Sequence, residues 1–312
     1  MSVRVGTCSW ADESLSKLWY PPGVSSAEAR LRYYAEHFDT VEVNSSYYAL
    51  PTAEMAAAWA DRTPPGFVFH VKAFGMMTRH PVKVEQLPPD MRSEVAFDDR
   101  GRVDHPSREV RALVFREFMR ALDPLRQAGK LGGILMQLPQ YIVAKPSSFE
   151  YLEWAREQLG DAEMLVEFRH RSWLEDDVRD DVFAFLERLP ATYVIVDAPP
   201  MRSANVAPTV VARTSGSAYV RFHGRNTATW NRRGGSAAER FDHLYSREEL
   251  GEWVEPLREL AAGAENVWAM FNNNGRSADA SGASFAQAPA NAAELIELLQ
   301  AASVPVTVAA AR

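Results

Sequence analysis

The stretch Ala218-Tyr-Val-Arg-Phe-His223 decides how the rest of the chain is read. Aliphatic and aromatic residues dominate it, as a buried strand requires, yet Arg221 and His223 interrupt it two positions apart. Residues two apart on a strand share one face, so this strand carries one apolar face and one charged face at its C-terminal end. Such a strand suits a sheet closed into a barrel, its apolar face under helices and its polar face in a lumen where charge can be paired. Seven further short apolar runs occur, at residues 3–8, 40–46, 67–73, 133–138, 163–169, 192–197 and 266–272. Segments of helical period separate them, at 25–37, 52–61, 108–129, 147–159, 175–189 and 240–262, with a last one at 291–302. Only the gap around 203–213 is weakly helical. Eight strands alternating with crossovers predict one α/β domain over residues 1–312, a single (β/α)8 TIM-type barrel. An open doubly wound sheet is the alternative, but its G-x-G-x-x-G turn is absent: the first strand runs into Gly6-Thr-Cys-Ser-Trp10.

Local signals refine this plan. Residues 75–107, rich in charge and proline, form a long insertion after strand 3, a length expected of a lid or a mobile insertion. Asp123-Pro124 inside the third helical segment predicts a kink or break. Asn291 followed by Glu294 predicts a capping box that starts the last helix there.

Composition excludes several classes. With 46% hydrophobic and 24% charged residues the chain is neither disordered nor fibrous. No run of about 18 apolar residues occurs and the first residues lack a signal-peptide plan, so a cytoplasmic protein with no membrane partner is expected. The one cysteine, Cys8, permits neither an internal disulfide nor a thiolate zinc site. A net charge of −7 argues against a globally basic nucleic-acid binder while leaving room for a local basic patch.

The polar residues concentrate at strand ends, where barrels of this class build their active sites. Glu42 pairs with Asn44, His70 with Lys72 and Glu167 with Arg169 on shared faces, while Gln137, Asp197 and Asn272 finish three other strands. Placed in the lumen, they oppose three cations (Lys72, Arg169, Arg221) to three carboxylates (Glu42, Glu167, Asp197). That balance fits a structural ion network as well as a catalytic one. Adjoining loops add His170, Arg171, Arg225, Arg232 and Arg233, giving a positive mouth suited to an anion.

Several motifs together resemble the YecE-like domain-of-unknown-function 72 family: Gly6-Thr-Cys-Ser-Trp10, Phe38-Asp-Thr-Val-Glu-Val-Asn-Ser-Ser-Tyr-Tyr48, Gln137-Leu-Pro, Glu167-Phe-Arg-His-Arg-Ser-Trp173, Tyr219-Val-Arg-Phe-His-Gly-Arg225 and Phe271-Asn-Asn. They run in order from residue 3 to about 299. The resemblance implies a TIM-barrel-like fold and a shared pocket with Glu42, Asn44, Glu167, Arg169, His170, Arg221, His223, Arg225, Asn272 and Asn273; it implies no reaction.

Three functions compete on these residues. The first is a hydrolase of a small anionic, phosphorylated or sugar-containing substrate. Glu42 and Glu167 would be its general acid and base, His223 its proton carrier and the arginines its anion holders. The second is a metal-dependent phosphodiesterase or nucleic-acid binder of endonuclease-IV-like type, using His170 or His223 with Glu42, Glu167 and Asp197. Nearby arginines would repel a cation, so no metal ligand is assigned. The third is a non-catalytic ligand- or protein-binding barrel, with Trp10, Trp173, Trp230, Tyr47 and Tyr48 as stacking surfaces. Cys8 reads as a packed apolar residue rather than a nucleophile, and Arg232-Arg-Gly-Gly235 as a flexible loop. The residues name no cofactor and no oligomeric state.

Overall fold

The eight apolar runs become eight parallel strands that pair in sequence order in the computed structural model, which describes residues 1–230 and 237–309. They are β1 (Val3–Thr7), β2 (Thr40–Val43), β3 (Val68–Lys72), β4 (Leu131–Gln137), β5 (Met164–Glu167), β6 (Ala191–Asp197), β7 (Ser217–Phe222) and β8 (Asn266–Phe271). Five residues of β1 pair with β8, which closes the barrel. A hairpin of β9 (Arg276–Ala278) and β10 (Ser284–Ala286) follows, and β11 (Val306–Thr307) pairs beside Val3 and Arg4 at the lower end of β1.

Two buried clusters reflect the two faces of the sheet. Val3, Val5, Val41, Val43, Val220 and Phe222 belong to the outer one, packed under the helices. Cys8, Leu135, Leu165, Val194, Tyr219 and Trp268 belong to the lumen cluster. Strands β1 and β2 approach closely at Gly6, where a Cβ would stand 2.4 Å from the Thr40 carbonyl oxygen. Gly6→Ala is therefore expected to destabilise the fold by about 1–3 kcal/mol, since a backbone group must move. Urea unfolding checks this, and a loss below about 0.5 kcal/mol would show that β1 shifts freely.

Helices follow their local signals closely. Ser26, Thr52 and Ser107 cap the helices Ala27–Ala35, Ala53–Asp61 and Arg108–Ala121 through their side-chain oxygens. The predicted break falls at Leu122, and a short helix Asp123–Gln127 restarts with Pro124 in its first turn. Residues 198–216, between β6 and β7, hold no helix.

Three expectations are corrected. The segment predicted as one helix over 240–262 is split: Ser246 and Glu249 form a capping box that starts Arg247–Gly251 only there, so Phe241 is free to drop over the lumen. The last helix begins at Gln287, and Asn291 lies inside it. Its amide instead ties Tyr245 through both N–H and C=O, and accepts from Asn273 Nδ2 at 2.8 Å. The 75–107 insertion is packed along its first half, where Met76, Met77, Val82, Leu87 and Met91 are buried in the outer core, whereas residues 92–107 are half-buried or exposed. No helix of the described residues is long and apolar enough to cross a membrane.

Candidate functional site

Three strands bring the centre of the site together. Glu42 on β2 and Glu167 at the end of β5 flank Arg221 on β7, and all three are fully buried. Arg221 Nη2 donates to Glu42 Oε1 at 2.7 Å, and its Nη1 donates to Glu167 Oε2. Tyr219 O–H donates to Glu42 Oε2 at 2.9 Å. Glu167 Oε1 also receives Gln137 Nε2 at 2.7 Å and Arg169 Nη1 at 3.3 Å. Asn44 Nδ2 donates to Asn272 Oδ1, and Asn272 Nδ2 reaches His223 Nδ1 at 2.9 Å. His223 Nε2 lies 3.2 Å from both Glu167 Oε1 and Arg221 Nη1.

Electrostatics follow from this crowding. Burial alone would raise the Glu167 carboxyl, but Arg221, His223 and Arg169 outweigh it and hold the group well below the usual carboxylate range. Burial drives His223 down to about 3, so its ring is neutral. Each glutamate is thus engaged on both oxygens and sealed from solvent. Neither is placed as the general acid of a hydrolase, and His223 is committed on both nitrogens.

Register corrects the position of Asp197. Its neighbour across the ladder is Phe222, an outward residue, whereas Val196 stands beside inward Arg221. Asp197 accordingly leaves the lumen and accepts from Tyr245 O–H, Trp253 Nε1 and Arg225. Arg225 is spent on Asp197 and on Glu252 at 2.7 Å, so it is no anion holder in this arrangement. Asn273 is likewise turned away, donating to His243 O and to Asn291. His170 folds back on Ser172 and caps the turn Arg171–Trp173, while Trp173 is buried with its Nε1–H on Ile142 O. The metal set of His170 or His223 with Glu42, Glu167 and Asp197 is therefore not assembled. Among the described residues no group of three or more His, Cys, Asp or Glu is arranged to hold a metal ion.

Above the network the mouth opens into two adjoining cavities of about 400 and about 330 Å3. Lys72, Tyr48 and Phe241 line both. Asn44, Asn272 and Trp10 line the larger, and Arg169, Gln137 and His80 the smaller. Lys72 is half-buried with Nζ 4.6 Å from the centre of the Tyr47 ring. Arg169 lies 5.4 Å from the centre of the Trp230 ring, which is itself buried over the lumen.

Comparison with known proteins now decides the lineage. The family model for Protein of unknown function DUF72 matches residues 4–311. The chain belongs to the DUF72 family. It is 30% identical over 275 residues to the UPF0759 protein YunF of Bacillus subtilis (strain 168), covering 87% of this chain and 89% of that one. The crystal structure of a DUF72 family protein (TM1631) from Thermotoga maritima MSB8 superposes with a TM-score of 0.73 at 29% identity, over 96% of this chain and all of the other. A second DUF72 structure (EF0366), from Enterococcus faecalis V583, gives 0.75 at 23% identity, over 96% and 95% of the two chains.

In this DUF72 barrel one mouth residue escaped the strand-end reading. His80 lies in the insertion after β3, where the 3-10 turn Gly75–Thr78 folds it back beside Tyr47, ring centres 5.1 Å apart. Thr78 Oγ1 is 2.8 Å from its Nδ1. Burial, then the charges of Lys72 and Arg169, push His80 down to about 3. The sequence signal available for it was only a histidine eight residues beyond a strand-end lysine. Cys8 sits under Arg221, and burial followed by Glu42 pushes its thiol well above the ordinary range, as suits a packed residue. Arg232, Arg233 and the Arg232-Arg-Gly-Gly235 loop lie outside the described residues.

Proposed function

We propose that this barrel is an enzyme that takes a small anionic substrate into its C-terminal mouth, held by Lys72 and Arg169. One observation carries this: with Asp197 outside, the inner ring keeps three cations, Lys72, Arg169 and Arg221, against two carboxylates, Glu42 and Glu167. One positive charge is left uncompensated at the floor of a cavity whose walls are aromatic, where a phosphate or carboxylate is strongly attracted. The saturated glutamates act as a scaffold that orients Arg169 and Arg221. Proton transfer to substrate then falls to Lys72 and His80, which reach the cavity, rather than to the carboxylates of a conventional hydrolase. The free thiol of Cys8 fits a reducing, cytoplasmic setting.

Thermal shift with phosphorylated and carboxylate metabolites tests the reading, run on wild type and Arg169→Gln at several salt concentrations. A ligand at a hundredfold excess over Kd adds about 2.7 kcal/mol of stability. The shift is expected in wild type, weakened by Arg169→Gln and only mildly salt-dependent. A shift given by oligonucleotides alone, with a steep salt slope, would replace this reading with nucleic-acid binding. A metabolite shift unchanged in Arg169→Gln would remove the mouth from the site.

A further inference from the structure

Lysine is scarce in this chain: five of the 34 basic side chains are lysines, at positions 17, 72, 83, 130 and 145. Arginine holds anions better through its planar fork, but only lysine releases a proton and becomes a nucleophile. Lys17 is exposed and paired with Glu13, and Lys130 is spent on three acceptors around Ala60 and Thr63. Lys72 differs in every respect. It ends a barrel strand, a rigid support, and its Nζ makes no ion pair or hydrogen bond among the described residues. It is the one lysine that lines the two mouth cavities.

We propose that Lys72 forms an imine with the carbonyl carbon of an anionic aldehyde or ketone, an oxo acid or a phosphorylated carbonyl compound, bound in the mouth. This rests on the reading of the mouth as an anion site and names the substrate class for it. The Nζ lone pair adds to the carbonyl carbon. The two amine protons depart with the carbonyl oxygen as water, leaving a C=N bond, so the step needs no oxidant, reductant or further reactant. Arg169, on the wall of the smaller cavity, is placed to hold the anionic group. The neutral ring of His80 lines that same cavity and is available to relay the proton to the departing oxygen.

The surroundings favour the free amine. Burial, then the neighbouring guanidinium of Arg221, lowers Lys72 to about 8; Glu167 and Glu42 oppose this and Arg169 adds to it. Tyr47 on the β2 side and His80 from the insertion complete the ring of polar groups around it. A lysine desolvated beside other cations is the usual way a protein activates an amine toward carbonyls.

Pyridoxal 5′-phosphate, an aldehyde with a phosphate, is the probe, and pyridoxine 5′-phosphate, which carries an alcohol in place of the aldehyde, is its control. The full chain is incubated with the aldehyde near pH 8, reduced with borohydride and mapped by mass spectrometry. Lys72 is expected to gain the mass of the probe less one oxygen atom, about tenfold or more faster than Lys17, Lys83 or Lys145, because far more of it is unprotonated. Excess pyridoxine 5′-phosphate should suppress labelling at Lys72 only. Lys72→Arg should lose the fast label, while Lys17, Lys83 and Lys145 are labelled at the wild-type rate. If the control binds in a manner dependent on Arg169 but Lys72 labels no faster than Lys17, the imine is overturned and the anion site stands. If the control does not bind and Lys72 labels no faster than the others, both are overturned.

Discussion

Replacing Arg221 with methionine is expected to cost about 3–5 kcal/mol of stability at neutral pH, the largest effect of any single substitution in the lumen. The side chain is fully buried and is the ionic link between Glu42 and Glu167, so its removal leaves Glu42 with no cationic partner and Glu167 with Arg169 alone, in a place that water does not reach. The sign with pH follows from the direction of each shift. In the wild type Glu167 is held below its unfolded value of 4.5, so its stabilising contribution is complete above about 4.5 and is lost as pH falls below that. In Arg221→Met the Glu167 carboxyl loses the largest influence that opposes burial and moves upward, so the penalty is largest at neutral pH and shrinks as acid protonates it. Urea unfolding at neutral and mildly acidic pH checks both statements. Adding Glu42→Gln and Glu167→Gln to the variant should recover part of the loss, because the stranded charges are gone. A loss below about 1 kcal/mol at neutral pH would show that the network is hydrated rather than sealed.

Removing Lys72 is expected to act in the opposite direction on stability while abolishing ligand binding. Its folded value of about 8 lies below the ordinary 10.5, so between these limits the unfolded chain binds more protons and wild-type stability rises with pH. Below about 8 the half-buried ammonium carries its full penalty; above 10.5 both states are neutral and the penalty is gone. Lys72→Met keeps the packing volume and removes the charge, so it should stabilise the protein by on the order of 1–2 kcal/mol at neutral pH, with the gain vanishing toward pH 10.5. Such a trade of stability against function is common at binding sites. Thermal unfolding of both proteins across this range, with and without an anionic ligand, measures it. A variant less stable than wild type at neutral pH would mean that Lys72 neutralises Glu42 and Glu167 more than it suffers from burial.

Much of the lumen ring is legible in the sequence. Period-two spacing put Arg221 and His223 on one face of β7, and strand-end concentration placed Glu42, Lys72, Gln137, Glu167, Arg169 and Asn272 in one lumen. These features are local: alternation along a strand and caps before a helix depend on neighbours a few residues away. Asp197 shows where that reasoning stops. It ends its strand just as Gln137 does, but the ladder sets it beside outward Phe222, and its charge then recruits Arg225, Tyr245 and Trp253 on the far side of the sheet. Asn291 was a plausible helix start, yet the helix begins four residues earlier and turns it into a bracket for Tyr245 and Asn273.

The sequence by itself determined the barrel, its strand order, the family and the residues at the strand ends, because periodicity and motif order survive without knowledge of contacts. Only the tertiary structure decided which of those residues remain chemically available. Pairing between charges is made through space, between residues 27 to 179 positions apart, and it consumed Glu42, Glu167, His223 and Arg225 while leaving Lys72, Arg169 and the late-arriving His80 at the cavity wall.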